Sequence, residues 1–416
     1  MSKKKIKILT IFGKRKELIK LYPVLDKLKA AEDIESIVVT TSQYQEDFDD
    51  LYDLFKITPD HDLNLKRDRK SLSDITNLAL SGIEPLLKLH KPNMVLVQGE
   101  STTAFVGALA AFYNKIPVGH IGAGERTFIK TDPYPQEVNR RLVSTLSDLH
   151  FVFIAKNTEY LIHEGAIPRN IFITGNTIID AVLSIAHGNS NTLSRHISPD
   201  DLNAFKMILV TCRKKDNWGE PLGNLCQALL DLTQAYPDIQ VALPIDYESD
   251  IREVVLKNLA NSERINLLDP MPYNTFIEAM VRSYLIITDS DCIMEEGRAL
   301  KKPVMLFKEA READGESNDE GVRLTGLTRE NLVIETSRLL EDPGAYRKMI
   351  GESHANGDAH ASERIIQAIR HYFGLAERPQ DYKPRSAAKT AEQDRAHAVI
   401  EGEFGAAGAK TLAIRH

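Results

Sequence analysis

Cysteine and tryptophan are scarce in this 416-residue chain, with three of the former and one of the latter. Cys212, Cys226 and Cys292 are odd in number and lack metal-type spacing, which excludes a disulfide framework or a structural zinc as the organising device. Reduced thiols in a reducing compartment are the expectation. Charge of one sign is not concentrated anywhere: 52 Lys and Arg face 59 Asp and Glu, for a formal net charge of -7. The one basic cluster, Lys3-Lys4-Lys5, precedes a strand-like run and reads as its solvated entry, so no nucleic-acid partner is expected. Nowhere do about 18 uncharged apolar residues run together, as a bilayer-crossing helix requires. The run from Ile6 to Phe12 is too short, and too interrupted by Lys7 and Thr10, for a secretory signal. A cytoplasmic chain without membrane insertion is expected.

What is present is alternation. Apolar runs of strand length alternate with amphipathic stretches of helix length, the pattern of parallel sheets covered by helices on both faces. Residues 6–12 predict a first strand, and Leu18, Leu21, Leu25 and Leu28 at helical spacing predict a crossover helix over 17–30. Strands follow at 36–41, 94–99, 118–124, 150–155 and 170–176, with a helix over 102–113. A polar stretch over 188–201 without apolar periodicity reads as a connection between domains. A second series of strands occupies 207–212, 239–244, 265–269, 284–290 and 303–307. The fold class is therefore α/β, with two doubly wound, Rossmann-like domains facing a cleft in the arrangement called GT-B. We expect these domains at 1–185 and 200–355, a helix over 356–376 packing back on the first, and a largely disordered, Ala-rich and Pro-containing tail over 377–416.

Gly13 closes the first strand and precedes Lys14, Arg15 and Lys16 at the expected helix start, a place where amides and cations could meet a diphosphate. Read alone, such a turn is more often structural. Read with LVQGESTTA (96–104), PVGHIGAGERT (117–127), PYPQEVNRR (133–141), ITGNTIIDA (173–181) and TDSDCIMEE (288–296), the set resembles the non-hydrolysing UDP-N-acetylglucosamine 2-epimerases. The similarity runs from about Lys5 to Phe373.

That resemblance implies a UDP-sugar as ligand, a homodimer, no cofactor and no metal. It implies Gly13, Arg15, Gln43, Arg126, Gln136, Arg140, Asn176, Ser290 and Glu296 as substrate-binding residues, with Arg15 near the diphosphate, Ser290 at a helix start and Glu296 on the ribose hydroxyls. The family reaction removes the proton at C2, expels UDP to give 2-acetamidoglucal, and adds UDP back with inverted configuration. It uses an Asp, two Glu and a His, which become Glu100, Gly122, Gln136 and Arg213 here. Only Glu100 keeps a carboxylate, and arginine stays protonated, so Glu100 and Arg213 are the catalytic candidates. Glu125 and Glu137 are read as solvated loop or helix-face glutamates, and His120 and His150 as core histidines.

Two further departures stand out. Asp291-Cys292 replaces two glycines after Ser290, and Ala313-Asp314-Gly315 lacks the cation of the matching family loop. Trp218 reads either as a loop anchor or as a ring-stacking surface. The main expectation is a divergent epimerase interconverting UDP-GlcNAc and UDP-ManNAc for cell-surface polysaccharide precursors. Its rivals are a catalytically weakened paralogue that binds a nucleotide sugar or regulates an active epimerase, and a glycosyltransferase-like enzyme on the same fold.

Overall fold

The computed structural model describes residues 5–42, 48–65, 71–188, 192–212, 217–245, 250–309, 321–351 and 356–384. Thirteen strands among these residues form two parallel sheets. The first contains β1 (Ile6–Phe12), β2 (Ile34–Thr40), β3 (His61–Asp62), β4 (Met94–Gln98), β5 (Val118–Ala123), β6 (Leu149–Val152) and β7 (Ile171–Ile173), in the order β3-β2-β1-β4-β5-β6-β7. The second contains β8 (Lys206–Thr211), β9 (Ile239–Pro244), β10 (Ile265–Leu268), β11 (Leu285–Thr288), β12 (Val304–Leu306) and β13 (Val322–Leu324), in the order β10-β9-β8-β11-β12-β13. Strands buried on both faces carry the near-continuous apolar runs seen in β1 and β4.

Helices of the first series are α1 (Arg15–Ala30), α2 (Asp49–Phe55), α3 (Leu72–His90), α4 (Thr102–Tyr113), α5 (Gln136–Leu146), α6 (Ala155–His163) and α7 (Thr177–Ala186). Those of the second are α8 (Pro199–Ala204), α9 (Glu220–Ala235), α10 (Asp250–Leu259), α11 (Tyr273–Arg282), α12 (Asp291–Ala299), α13 (Arg329–Glu341), α14 (Pro343–Gly351) and α15 (Ala361–Tyr372). In each sheet the chain winds outward to one side and then returns to the centre to start the other half. The switch points are between β1 and β4 and between β8 and β11, and crevices form outside the carboxyl ends of strands at such points. Gly13, Glu100 and Ser290 all lie within two residues of the end of a switch-point strand.

Both sheets belong to one compact unit ending at Tyr382. Its largest apolar cluster is continuous from Phe12 and Leu18 through Ile178, Ile179 and Val182 of α7 to Ile293, Val304 and Val322. Helix α7 is the common support, packing on α1, α11, α12 and α15. Helix α15 lies on α1 and α7, tied there by buried Asp180, which accepts from the amide and hydroxyl of Ser362 at 2.8 and 2.7 Å. The connection over 188–201 is not uniformly solvated, since Leu193 and Ile197 are buried and the Thr192 and Leu193 amides donate to Glu278 at 2.8 and 3.1 Å.

Residues 378–382, which the composition places in the tail, run along β7 instead. The Tyr382 amide donates to the Ile173 carbonyl at 2.7 Å, the Ile173 amide to Asp381 at 3.0 Å, and the Arg378 guanidinium lies 4.2 Å from the Phe172 ring centroid. These bonds satisfy backbone groups of the edge strand, which composition cannot reveal. Residues 385–416, Gln43, Arg213 and Ala313-Asp314-Gly315 lie outside the described residues.

Candidate active site

The turn from β1 to α1 is built around its own acid. Buried Glu17 accepts from the amides of Gly13 and Lys14 at 2.8 and 3.1 Å, closing the helix N-terminus with an internal carboxylate. Gly13 is there for space: a Cβ would stand 2.3 Å from the hydroxyl oxygens of Thr41 and Thr103. Its amide is thus already engaged, and the phosphate-seeking potential of the turn rests on side chains. Arg15 forms a two-point ion pair with Asp50, and Asp50 also accepts from the Tyr273 amide at 3.1 Å. Burial pushes the Asp50 carboxyl up, but the guanidinium outweighs it and holds Asp50 below its usual range.

Tyr273 opens α11 in the second series, so this chain of contacts crosses between the two sheets. The Tyr273 hydroxyl donates to Glu296 at 2.8 Å, and both side chains are buried. Burial, followed by the Glu296 charge, raises the phenol well above its usual value and keeps it a donor. Ser290 caps α12 and Asp291 pairs with Lys308 at 3.0 Å. The extra carboxylate at the start of α12 is therefore partly neutralised by a local cation.

A denser cluster lies where β4, β5, α1, α5 and α12 converge. Lys16 and Lys20, one turn apart on α1, point to the same place. Lys16 bonds Glu100 at 2.5 Å and Lys20 pairs with Glu295 of α12 at 3.2 Å, while its ammonium sits 5.2 Å from the Phe153 ring centroid. Burial alone would raise the Glu100 carboxyl, but Lys16 and then Arg140 outweigh it and hold it at about 2. Glu125, just beyond β5, shows the opposite balance. Burial raises it, Arg140 and Lys20 oppose, and the charges of Glu295 and Glu100 push it further up. Cys292 is pushed up to about 11, chiefly by burial, and stays a thiol.

The structure divides the remaining candidates by whether they are already occupied. Gln136 Oε1 and Arg140 Nε on α5 are buried without a hydrogen-bond partner among the described residues, leaving polar capacity for a ligand. Arg126 is engaged internally instead, with Glu164 at 3.0 and 2.6 Å and Ser144 at 3.0 Å. Asn176 is a buried cap of α7, accepting from the Ile178 amide at 3.1 Å.

Glu137 is not a solvated helix-face glutamate: it is buried and accepts from the Thr127 and Phe128 amides at 3.0 and 3.2 Å, pinning the loop after β5. His120 lies 2.9 Å from the Gly99 carbonyl, and burial lowers it to about 3 and His150 to about 4, so both are neutral core groups. Trp218 packs against the second sheet's core and serves as an anchor. Asp50, Tyr273 and Lys20 escaped the sequence reading, which took Lys16 only as a cation of the β1–α1 turn; two lysines at i and i+4 beside an apolar stripe were the available signal for their pairing. Among the described residues no group of three or more His, Cys, Asp or Glu could hold a metal ion, and no helix is long and apolar enough to cross a membrane.

Comparison with known proteins agrees with this geometry. A family model described as UDP-N-acetylglucosamine 2-epimerase matches residues 26–370. The Bacillus subtilis UDP-N-acetylglucosamine 2-epimerase is 36% identical over 379 residues, covering 91% of this chain and 98% of that one. Among solved structures, the S. aureus MnaA-UDP co-structure superposes with a TM-score of 0.82 at 35% identity, over 91% of this chain and all of that one. The Neisseria meningitidis UDP-GlcNAc 2-epimerase bound to UDP-GlcNAc superposes with a TM-score of 0.80 at 34% identity, over 88% of this chain and all of that one.

Proposed function

Because the chain belongs to the UDP-N-acetylglucosamine 2-epimerase family, we propose that it interconverts UDP-GlcNAc and UDP-ManNAc by elimination and re-addition of UDP. The observation that carries this reading is the near end-to-end match with a solved epimerase that holds UDP-GlcNAc. The cluster of buried charge at the switch points supports it, because that is where an α/β crevice takes its ligand.

In this reading the nucleotide lies between the sheets. Arg15 swings from Asp50 to the diphosphate, the α12 start capped by Ser290 faces the same group, and Glu296 accepts from the ribose hydroxyls. Gln136 and Arg140, with unused polar atoms, take the sugar end. Gly13 contributes close approach and no amide. Arg126 and Asn176 hold the framework and are left out of the ligand set. Arg213, a candidate on the family resemblance, would contribute a fixed positive charge.

A homodimer and a cytoplasmic setting complete the proposal. Exposed Leu78 and Leu89 on α3, Phe112 and Tyr113 on α4 and Leu142 on α5 offer apolar surface on three neighbouring helices. Three free cysteines fit a reducing compartment. The test is proton NMR of UDP-GlcNAc with the protein in heavy water. Appearance of UDP-ManNAc with deuterium at C2 is expected, and tight binding without either signal would select the non-catalytic paralogue.

A further inference from the structure

We propose that Glu125 is the group that exchanges the C2 proton, and that Glu100 is a positioning residue, a fixed anion that holds Lys16 in the cluster. The inference rests on the epimerase reading and assigns its proton transfer.

The argument begins with which carboxylates are free. Five stand around this end of the first sheet, and four are committed: Glu17 to the Gly13 and Lys14 amides, Glu100 to Lys16 at 2.5 Å, Glu295 to Lys20 at 3.2 Å, and Glu137 to two loop amides. Among the described residues no hydrogen bond or ion pair holds the Glu125 carboxylate. It is partly accessible, and the groups acting on it come from every wall of the crevice: Lys20 from α1, Glu100 from the end of β4, Arg140 from α5 and Glu295 from α12. Lys16 and Cys292 complete the same cluster through Glu100 and Lys20.

Two glycines shape the backbone that leads to Glu125. Gly122 and Gly124 adopt left-handed conformations with φ of 76° and 82°. A Cβ on Gly124 would stand 2.5 Å from the Asn157 carbonyl oxygen, so the strand exit is pressed against α6. A Cβ on Gly122 would meet the Phe153 ring at 3.0 Å, beneath the Lys20 ammonium. The strand therefore brings no side chain of its own to that spot, and the first acid the chain can offer there is Glu125.

Two neighbouring carboxyls driven in opposite directions mark a division of labour between a permanent charge and a proton carrier. Glu100, locked to its ammonium, is too weak a base for a C–H bond. Glu125, raised by its burial and by the neighbouring carboxylates, is the stronger base of the two. In the elimination its carboxylate takes the C2 proton. The C2–H electron pair becomes the C1=C2 double bond, and the C1–O bond breaks with its pair leaving on UDP. The products are 2-acetamidoglucal, UDP and the neutral Glu125 acid. Re-addition of UDP with the proton returned by Glu125 restores UDP-GlcNAc carrying solvent hydrogen, and inversion to UDP-ManNAc takes its proton on the opposite face of C2 from an acid other than Glu125.

The experiment measures wash-in of deuterium at C2 of UDP-GlcNAc in heavy water, with UDP affinity titrated alongside. Glu125→Gln should lower exchange by about a hundredfold or more and leave UDP affinity within about twofold, because the amide keeps the shape and cannot titrate. Glu125→Asp should recover part of the exchange, which separates proton transfer from folding. Glu100→Gln should lower it less than Glu125→Gln does. Exchange surviving Glu125→Gln, or falling further in Glu100→Gln, overturns the assignment while leaving the epimerase reading in place. Absence of exchange in the wild-type protein overturns both.

Discussion

Replacing Lys16 by methionine removes the ammonium that locks Glu100 and keeps most of the aliphatic stem. The Glu100 side chain is only 11% exposed and Lys16 42%. The fall of the carboxyl from 4.5 to about 2 corresponds to about 3 kcal/mol at ~1.4 kcal/mol per unit. Arg140 and Lys20 share that work, so loss of Lys16 alone should cost about 1–2 kcal/mol at pH 7, below the ~3–5 kcal/mol of a buried pair broken outright. A carboxyl depressed in the folded state stabilises above its unfolded value and loses that contribution as pH falls through the folded one. The difference between wild type and K16M should therefore be full above about pH 5 and shrink from about 4.5 towards 2. Urea denaturation at pH 7, 5 and 3.5 measures it, and carbon NMR of the Glu100 carboxyl follows the titration directly. A penalty independent of pH, or a Glu100 that titrates near its ordinary value in the wild-type protein, would refute the ion-pair account.

Gly13→Ala should destabilise the fold by roughly 2 kcal/mol or more, since its methyl would meet two short, stiff threonine side chains; thermal denaturation reads this. Arg15→Ala should weaken UDP binding more than Lys14→Ala in calorimetry, because only the guanidinium grips a phosphate at two points. Asp180→Ala should cost about 1–3 kcal/mol by leaving two amides of the α15 start and the Ser362 hydroxyl unpaired, and chemical denaturation would show it. Glu137→Gln should expose the loop at Thr127 and Phe128 to faster hydrogen exchange at those two amides.

The alternation of apolar runs determined by itself that two parallel sheets would form, because strands buried on both faces must be apolar and crossover helices must be amphipathic. The helix over 102–113 and the strands of the sheet centres were legible for that reason. The two-residue β3 and three-residue β13 were not, since so short an edge carries no period. Gly13, Glu100 and Ser290 could be placed from the sequence because each stands within two residues of a strand end.

What tertiary structure alone decided is which charges are spent. Arg15 meets Asp50, Lys16 meets Glu100, and Arg126 meets Glu164 only after distant helices and strands are packed together. One step of sequence separates Glu137 from Gln136, and packing makes the first a loop clamp and the second a buried acceptor. Glu125 looks in sequence like any loop glutamate. Two left-handed glycines and a crevice walled by α1, α5 and α12 make it the uncommitted carboxyl, because the proton affinity of a carboxyl is set by the burial and charge assembled around it in space.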